Sequence, residues 1–347
     1  MGHIEELYTF DDVLIRPGRS EVEPREAEMK TAIARGFFVS IPFLSAAMDT
    51  VTDDRMAAAL GALGGLGVIH RNQTIAQQCE MVRKAKKTGV LVGAACGPFD
   101  KDRALALQKA GADVVSIDCA HGHNANVLRS VREIKKSLKR AKLFMGNIAT
   151  AQAARDICGF VDAIKVGVGP GSICTTRIIS GVGVPQLSAI MEVSAVAKRF
   201  KVPVIADGGM RTSGDIAKAL AAGASAVMLG NMFAGTLEAP GKIVTRNGKK
   251  FKYYRGMGSK AVIETQSAET RYLTKGRKAV PEGVEALVPY KGELKEVVAE
   301  LISGIQVAMG YVGARTIVDL HSKAQFIRIT RAGVIEGSPH SLSEILG

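Results

Sequence analysis

Tryptophan is absent from this chain and aromatic residues make up only 5% of it. That is thin material for the stacking platforms that hold single-stranded nucleic acid. Long apolar runs are missing as well. The longest, Ala57 to Ile69, is punctuated by four glycines and reads as helix, turn and strand, well short of the roughly 18 residues of a membrane span. The start, "MGHIEELYTFDDVL", has no apolar stretch of the kind a secretory signal needs. Cys79, Cys96, Cys119, Cys158 and Cys174 are odd in number, far apart and without a Cys-x-x-Cys pair. This argues against a disulfide framework and a structural zinc site and favours a reducing, cytoplasmic setting.

What is present is a 347-residue chain, 47% hydrophobic, with a formal net charge of +13. The size allows a large core, and the charge suggests an anionic partner, either nucleic acid or a phosphorylated small molecule. Two basic runs stand out. "KKSLKRAK" (135–142) lies on a helical pattern and reads as a solvated face. "RNGKKFKYYRGMGSK" (246–260) mixes cations, aromatics and glycines and could contact an anion.

Short apolar runs alternate regularly with helix-like segments. The predicted strands are 39–48, 66–70, 90–96, 113–119, 142–148, 163–169, 202–209 and 226–231, with helical periodicity at 53–63, 75–87, 101–110 and 186–200. Continuous apolar runs fit strands buried on both faces. Eight such units predict an α/β fold, a single closed (β/α)8 TIM barrel spanning 1–347. An open doubly wound sheet is the competitor, weakened because no Gly-x-Gly-x-x-Gly follows the first strand. The polar stretch 240–292 is predicted to be a lid or flap inserted after strand eight. A final helix is predicted over 293–309, and the turn-rich tail 330–347 is expected to dock on a neighbouring subunit.

In such a barrel, chemistry collects where the strands end. Gly208, Gly209, Gly230 and Asn231 follow strands seven and eight, where backbone amides can approach an anion; tight turns are the plainer reading of each glycine alone. Asp207 beside them suits sugar hydroxyls, pointing to a nucleotide. Its bland alternative is a helix N-cap, for which Ser213 is better placed. His121 and His123 form a His-x-His that could bind metal, but no third ligand declares itself. Cys174 sits in "GVGPGSICTTR" (167–177), among glycines and hydroxyls, where amides and a nearby cation favour the nucleophilic thiolate.

"FDDVLIRP", "SAAMDTVT", "IDCAHGH", "GVGPGSICTTR", "GVGVPQ", "ADGGMRTSGDIAKALAAGASAVMLG" and "YRGMGS" together span nearly the whole chain, and with them it closely resembles the inosine monophosphate dehydrogenase and guanosine monophosphate reductase superfamily. Arg271-Tyr272 followed by "VPEGVE" resembles the mobile flap of the dehydrogenase branch. The reductase branch, NADPH-dependent deamination of guanosine monophosphate on the same cysteine, is the alternative.

The resemblance implies that Cys174 attacks carbon 2 of inosine monophosphate (IMP), that hydride leaves to NAD, and that water near Arg271, Tyr272 and Thr176 hydrolyses the adduct. By the same resemblance Ser172, Gly209, Gly230, Asn231 and Tyr254 hold the phosphate and Asp207 the ribose. Met257, Gly258 and Glu282 meet the base, with Met48, Gly208 and Gly256 completing the substrate set. Asp118, Cys119, Ala120, Asn147, Lys165, Gly167 and Gly169 lie on the cofactor side. A potassium ion is implied on carbonyls of Gly169, Gly171 and Cys174, completed by Glu336, Gly337 and Ser338 of another subunit, hence a homotetramer or an octamer. Asn231 stands where the family usually has serine or glycine, and Cys119-Ala120 where it has hydroxyl-bearing residues. The tandem CBS module that most dehydrogenases insert after the second helix is expected to be missing, and nucleotide regulation through it with it.

Overall fold

The computed structural model describes residues 4–263 and 280–339. The N-terminal part supplies β1 (Val13–Ile15) and a hairpin of β2 (Thr31–Ala34) and β3 (Phe37–Val39). Eight strands follow: β4 (Phe43–Ser45), β5 (Leu66–Ile69), β6 (Val92–Cys96), β7 (Val114–Ile117), β8 (Lys142–Ile148), β9 (Ala163–Val166), β10 (Val204–Asp207) and β11 (Ala226–Leu229). All pair in parallel with their neighbours, and β11 returns to β4, so the sheet closes into a barrel. A closed parallel sheet is covered on both faces, which is why these strands are almost wholly buried and read as unbroken apolar runs.

Helices alternate with the strands: α1 (Asp54–Ala62), α2 (Ile75–Lys86), α3 (Lys101–Ala110), α4 (Ala125–Ser137), α5 (Ala151–Ile157), α6 (Thr176–Ser180), α7 (Gln186–Ala197), α8 (Ser213–Ala221) and the short α9 (Asn231–Ala234). The helix Leu294–Val312 packs against α8 and α1 and completes the ring. α4 buries one stripe, Val127, Val131 and Ile134, spaced at about one turn, whereas α7 is buried over most of its surface. Most begin at a side-chain cap: Asp53, Thr74, Asp100, Asn124, Thr150 and Thr212. The cap of α8 is therefore Thr212, not Ser213, which is already the first helical residue; the Thr212 hydroxyl accepts the Asp215 amide at 3.1 Å. The run 135–142 is likewise not one helical face, because α4 stops at Ser137 and Lys142 opens β8.

The barrel interior is filled by Leu44, Leu66, Val68, Val114, Phe144 and Ile205, joined by Ile33, Ala34 and Val39 of the β2–β3 hairpin. That hairpin plugs the end where the strands begin. Thr31 Oγ1 donates to the Ser225 carbonyl (2.8 Å) just before β11, and Lys142 Nζ donates to the Arg35 carbonyl (3.1 Å). A cleft lined from the βα connections opens at the opposite end, where the strands finish. The predicted first strand, 39–48, is shorter than expected because its leading part belongs to the plug. No helix among the described residues is long and apolar enough to cross a membrane.

The described part of 240–292 forms regular structure as well as loop. β12 (Ile243–Arg246), β13 (Lys249–Arg255) and β14 (Glu285–Pro289) make an antiparallel three-stranded sheet. Its root is held by a buried ammonium. Lys252 is 1% exposed, and its Nζ donates to the carbonyls of Thr236 (3.0 Å), Leu237 (3.4 Å) and Ala239. Arg55 reaches Leu237 and Ala239 from the barrel side. We expect Lys252→Met to destabilise the protein by about 2–4 kcal/mol, because the Thr236 carbonyl loses its ammonium in a buried setting; thermal denaturation reads the loss. β15 (Phe326–Arg328) pairs with β1, and the tail 330–339 contains a helix, Arg331–Glu336, against the turn Phe10–Asp12 rather than turns alone.

α2 passes to β6 through residues 87–91 alone, so no module is inserted at that point.

Candidate functional site

A cleft of about 240 Å³ opens at the ends of the strands. It is lined from almost every βα connection, and it gathers nearly all the strand-end residues singled out from the sequence. Met48 lies after β4, Asp118, Cys119 and Ala120 after β7, Asn147 on β8, and Lys165, Gly167, Gly169, Gly171, Ser172, Cys174 and Thr176 on and after β9. Asp207, Gly208 and Gly209 close β10, Gly230 and Asn231 follow β11, and Tyr254, Gly256, Met257, Gly258 and Glu282 come from the root of the three-stranded sheet. Arg271 and Tyr272 lie outside the described residues. Glu336, Gly337 and Ser338 end the helix at Arg331–Glu336 and do not line this cleft.

Cys174 is held at the centre by its own loop and by the returning chain. Its amide donates to the Gly171 carbonyl (3.0 Å), the Thr175 amide to Glu282 (3.0 Å), and the Val284 amide to Ile173 (3.0 Å). The thiol is 3.1 Å from Thr176 Oγ1, and that hydroxyl donates to Glu282 Oε2 at 2.7 Å. A thiol, a hydroxyl and a carboxylate thus form one hydrogen-bonded chain. The other four cysteines are buried. Burial pushes the Cys96 thiol up to about 12 and Cys158 up to about 11, so both stay protonated and inert. Cys119 lines the cleft but turns its thiol to the His121 carbonyl (3.3 Å).

Beneath the cysteine, Arg177 ties the loop to its surroundings, with Nε donating to Val168 (3.1 Å) and Nη2 to Val184 (2.5 Å). Beside it, Asp207 accepts from Asn147 Nδ2 (3.0 Å) and faces Lys165 Nζ at 3.4 Å. Lys165 is 2% exposed, so it acts within the barrel as the counter-ion of Asp207 rather than as a free cation for a ligand. Asp207 keeps lone pairs for further donors, as expected of a residue that receives sugar hydroxyls.

Gly208 and Gly209 have consecutive φ values of +88° and +87°, a conformation that favours glycine. Gly230 precedes α9, which is seated by Phe233 packing edge-on against Phe43 with ring centroids 6.3 Å apart. Tyr254 reaches across to this corner. Its phenol is hydrogen-bonded with Ser172 and is pushed up to about 12 by burial, so it stays a neutral donor. Ser172, Tyr254 and the two glycine turns line the same cleft, a set of hydroxyls and backbone amides suited to a phosphate.

The end of β5 was not recognised from the sequence, yet His70, Arg71 and Asn72 form a polar hub. Arg71 pairs with Asp118 at 3.5 Å, both side chains buried. Asn72 Nδ2 donates to Asp49 Oδ2 (2.7 Å), and Arg255 binds Asp49 from the other side. Burial alone would push the Asp49 carboxyl up; the hydrogen bonds from Arg255 and Asn72 outweigh it and hold the group below the ordinary carboxylate range. Burial also pushes His70 down, leaving it neutral. Ion pairs between residues 206 positions apart leave no local pattern to read. His121 and His123 stand with ring centroids 6.4 Å apart, and His123 is engaged by Asp156 (2.8 Å). Among the described residues no cluster of three His, Cys, Asp or Glu side chains is placed to hold a metal ion.

Comparison with known proteins matches residues 7–340 to the IMP dehydrogenase / GMP reductase domain. Inosine-5'-monophosphate dehydrogenase of Halobacterium salinarum is 38% identical, covering 98% of this chain and 94% of that protein. The enzyme of that name from Methanocaldococcus jannaschii is 38% identical over 97% of this chain and 96% of its own length. The one from Cryptosporidium parvum is 40% identical over 96% and 95%. The alignment with the first runs over 471 positions against a chain of 347 residues, so that relative carries at least 124 residues (471 − 347) that this chain lacks.

Proposed function

From the premise that this chain belongs to the IMP dehydrogenase / GMP reductase family, we propose that it oxidises inosine monophosphate to xanthosine monophosphate with NAD. The observation that carries this reading is the Cys174–Thr176–Glu282 chain placed in the same cleft as the glycine turns and Asp207.

The phosphate sits against Ser172, Gly209, Gly230, Asn231 and Tyr254, and the ribose hydroxyls donate to Asp207. This leaves the base over Cys174, framed by Met48, Met257, Gly258 and Glu282. Cys174 sulfur bonds to carbon 2 of the base, and the thiol proton passes to the Thr176–Glu282 pair. Bound NAD supplies the acceptor for the hydride that carbon 2 gives up. Water then attacks the same carbon, the carbon–sulfur bond breaks, and xanthosine monophosphate leaves with the thiol restored. Arg271 and Tyr272 are assigned to this hydrolytic step. The sum is IMP, NAD⁺ and water to xanthosine monophosphate, NADH and a proton.

The residues that would meet the nicotinamide cofactor are the carboxylate of Asp118, the amide of Asn147 and the backbone at Gly167 and Gly169, which line the cleft; Cys119 and Ala120 offer it no hydroxyl. Carbonyls of Gly169, Gly171 and Cys174 are the hard oxygens a potassium ion takes. One lone pair of the Gly171 carbonyl is already used by the Cys174 amide, so further oxygens are required. Glu336, Gly337 and Ser338 of a second copy supply them in a homotetramer or octamer. A reducing, cytoplasmic compartment keeps the thiol available.

The purified protein in potassium buffer tests this in two parallel assays. A rise of reduced nicotinamide with inosine monophosphate and NAD⁺ is expected. Oxidation of NADPH with guanosine monophosphate, and no rise in the first assay, would assign the chain to the reductase branch instead.

A further inference from the structure

Resting on the dehydrogenase reading, we propose that Asp49 and Arg255 are a positioning pair that sets one wall of the nucleotide cleft, and thereby the affinity for inosine monophosphate, without touching the nucleotide. Asp49 follows Met48 and Arg255 follows Tyr254, and those two predecessors line the cleft and meet there, with Tyr254 Oη 3.8 Å from Met48 Sδ. Behind them Arg255 Nε lies 3.1 Å from each Asp49 oxygen, and Nη2 also donates to Oδ2. Asn72 fixes the same carboxylate at 2.7 Å, and the Arg255 amide donates to Thr50 Oγ1 at 3.3 Å.

The Asp49 side chain is 8% exposed and that of Arg255 25%, so solvent screens the pair weakly. A forked, buried pair of this kind fixes direction as well as distance. It joins the connection after β4 to the strand β13, and Gly256, Met257 and Gly258, which line the base side, come directly after Arg255. Tyr254 also partners Ser172 on the Cys174 loop. The pair therefore determines where three substrate-facing stretches stand relative to one another, while its link toward the cofactor side is indirect, through Asn72 and the neighbouring Arg71–Asp118 pair.

The test compares Arg255→Met, Asp49→Asn, the double variant and Arg255→Lys with the parent enzyme. Readouts are melting temperature, kcat and KM for each substrate, and calorimetric binding of inosine monophosphate without cofactor. We expect KM and Kd for inosine monophosphate to rise roughly tenfold in each single substitution, with kcat at saturation and KM for NAD⁺ within about threefold. The double variant should lose much less than the product of the singles, and Arg255→Lys, which keeps charge but not the fork, should lie between. Lower melting temperature with unchanged nucleotide affinity, or equal losses for both substrates, would overturn the pair's positioning role. Calorimetry reads that role even if the parent enzyme fails to reduce NAD⁺, an outcome that would overturn the dehydrogenase reading alone.

Discussion

Replacing Cys174 by alanine is expected to remove both halves of the reaction, lowering turnover by about 10⁴-fold or more and abolishing the first burst of reduced cofactor. In the proposed reaction, carbon 2 must become tetrahedral before hydride can leave, and the Cys174 sulfur is the group assigned to supply the fourth bond. No other thiol can substitute. Cys96 and Cys158 are buried and held protonated at about 12 and 11, Cys79 is buried and pushed up as well, and Cys119 points away to the His121 carbonyl. The same contrast predicts chemical selectivity. Substoichiometric iodoacetamide should label Cys174 first, and inosine monophosphate should protect it. Peptide mapping that found the label mainly on Cys119, or an alanine variant that still gave a burst, would remove Cys174 from its role.

Much of this fold was legible because a doubly covered parallel strand has to be apolar along its whole length, and all eight barrel strands fall inside the eight predicted runs. The cleft followed from the same logic. Once the strands are known, their last residues are brought together by barrel closure, so Asp118, Asn147, Gly167, Asp207 and Gly230 converge although spread over 113 positions (230 − 117, counting both ends as 118 and 230). What escaped is equally physical. β13 presents Lys252 to the interior where patterning expects an apolar residue, and β12 is exposed throughout, so the three-stranded sheet read as a polar lid. Thr212 and Ser213 both carry hydroxyls, and only backbone geometry chooses the cap between them. Long-range contacts left no trace at all: Glu282 reaches Thr176 across 106 positions, and its place in the site came from resemblance, not from spacing.

The Thr176–Glu282 contact bears on the second half-reaction, where Thr176→Val is expected to slow hydrolysis of the covalent adduct about 10²-fold while leaving the burst of reduced cofactor within roughly tenfold. The asymmetry comes from acidity. A thiol is intrinsically a far stronger acid than water, so the water step depends more heavily on a base aligned with it. Guanidinium keeps its proton and is a poor base, so in the proposed reaction Arg271 is assigned the orientation and electrostatic stabilisation of the attacking water. Thr176 Oγ1 is differently equipped. It stands 3.1 Å from the sulfur and already donates to Glu282, so once the sulfur is bonded to carbon and the thiol proton has been released to solvent, the hydroxyl oxygen is free to take a proton from water and pass its own to the carboxylate. Glu282→Gln should therefore reproduce the effect of Thr176→Val, and combining the two should add little. Arg271→Ala should also accumulate adduct, but additively with either. Acid-quench trapping of labelled inosine monophosphate on the protein measures all four variants. If Thr176→Val and Glu282→Gln hydrolyse the adduct at the parent rate while Arg271→Ala does not, proton removal belongs to the 271–272 segment and the relay has no part in it.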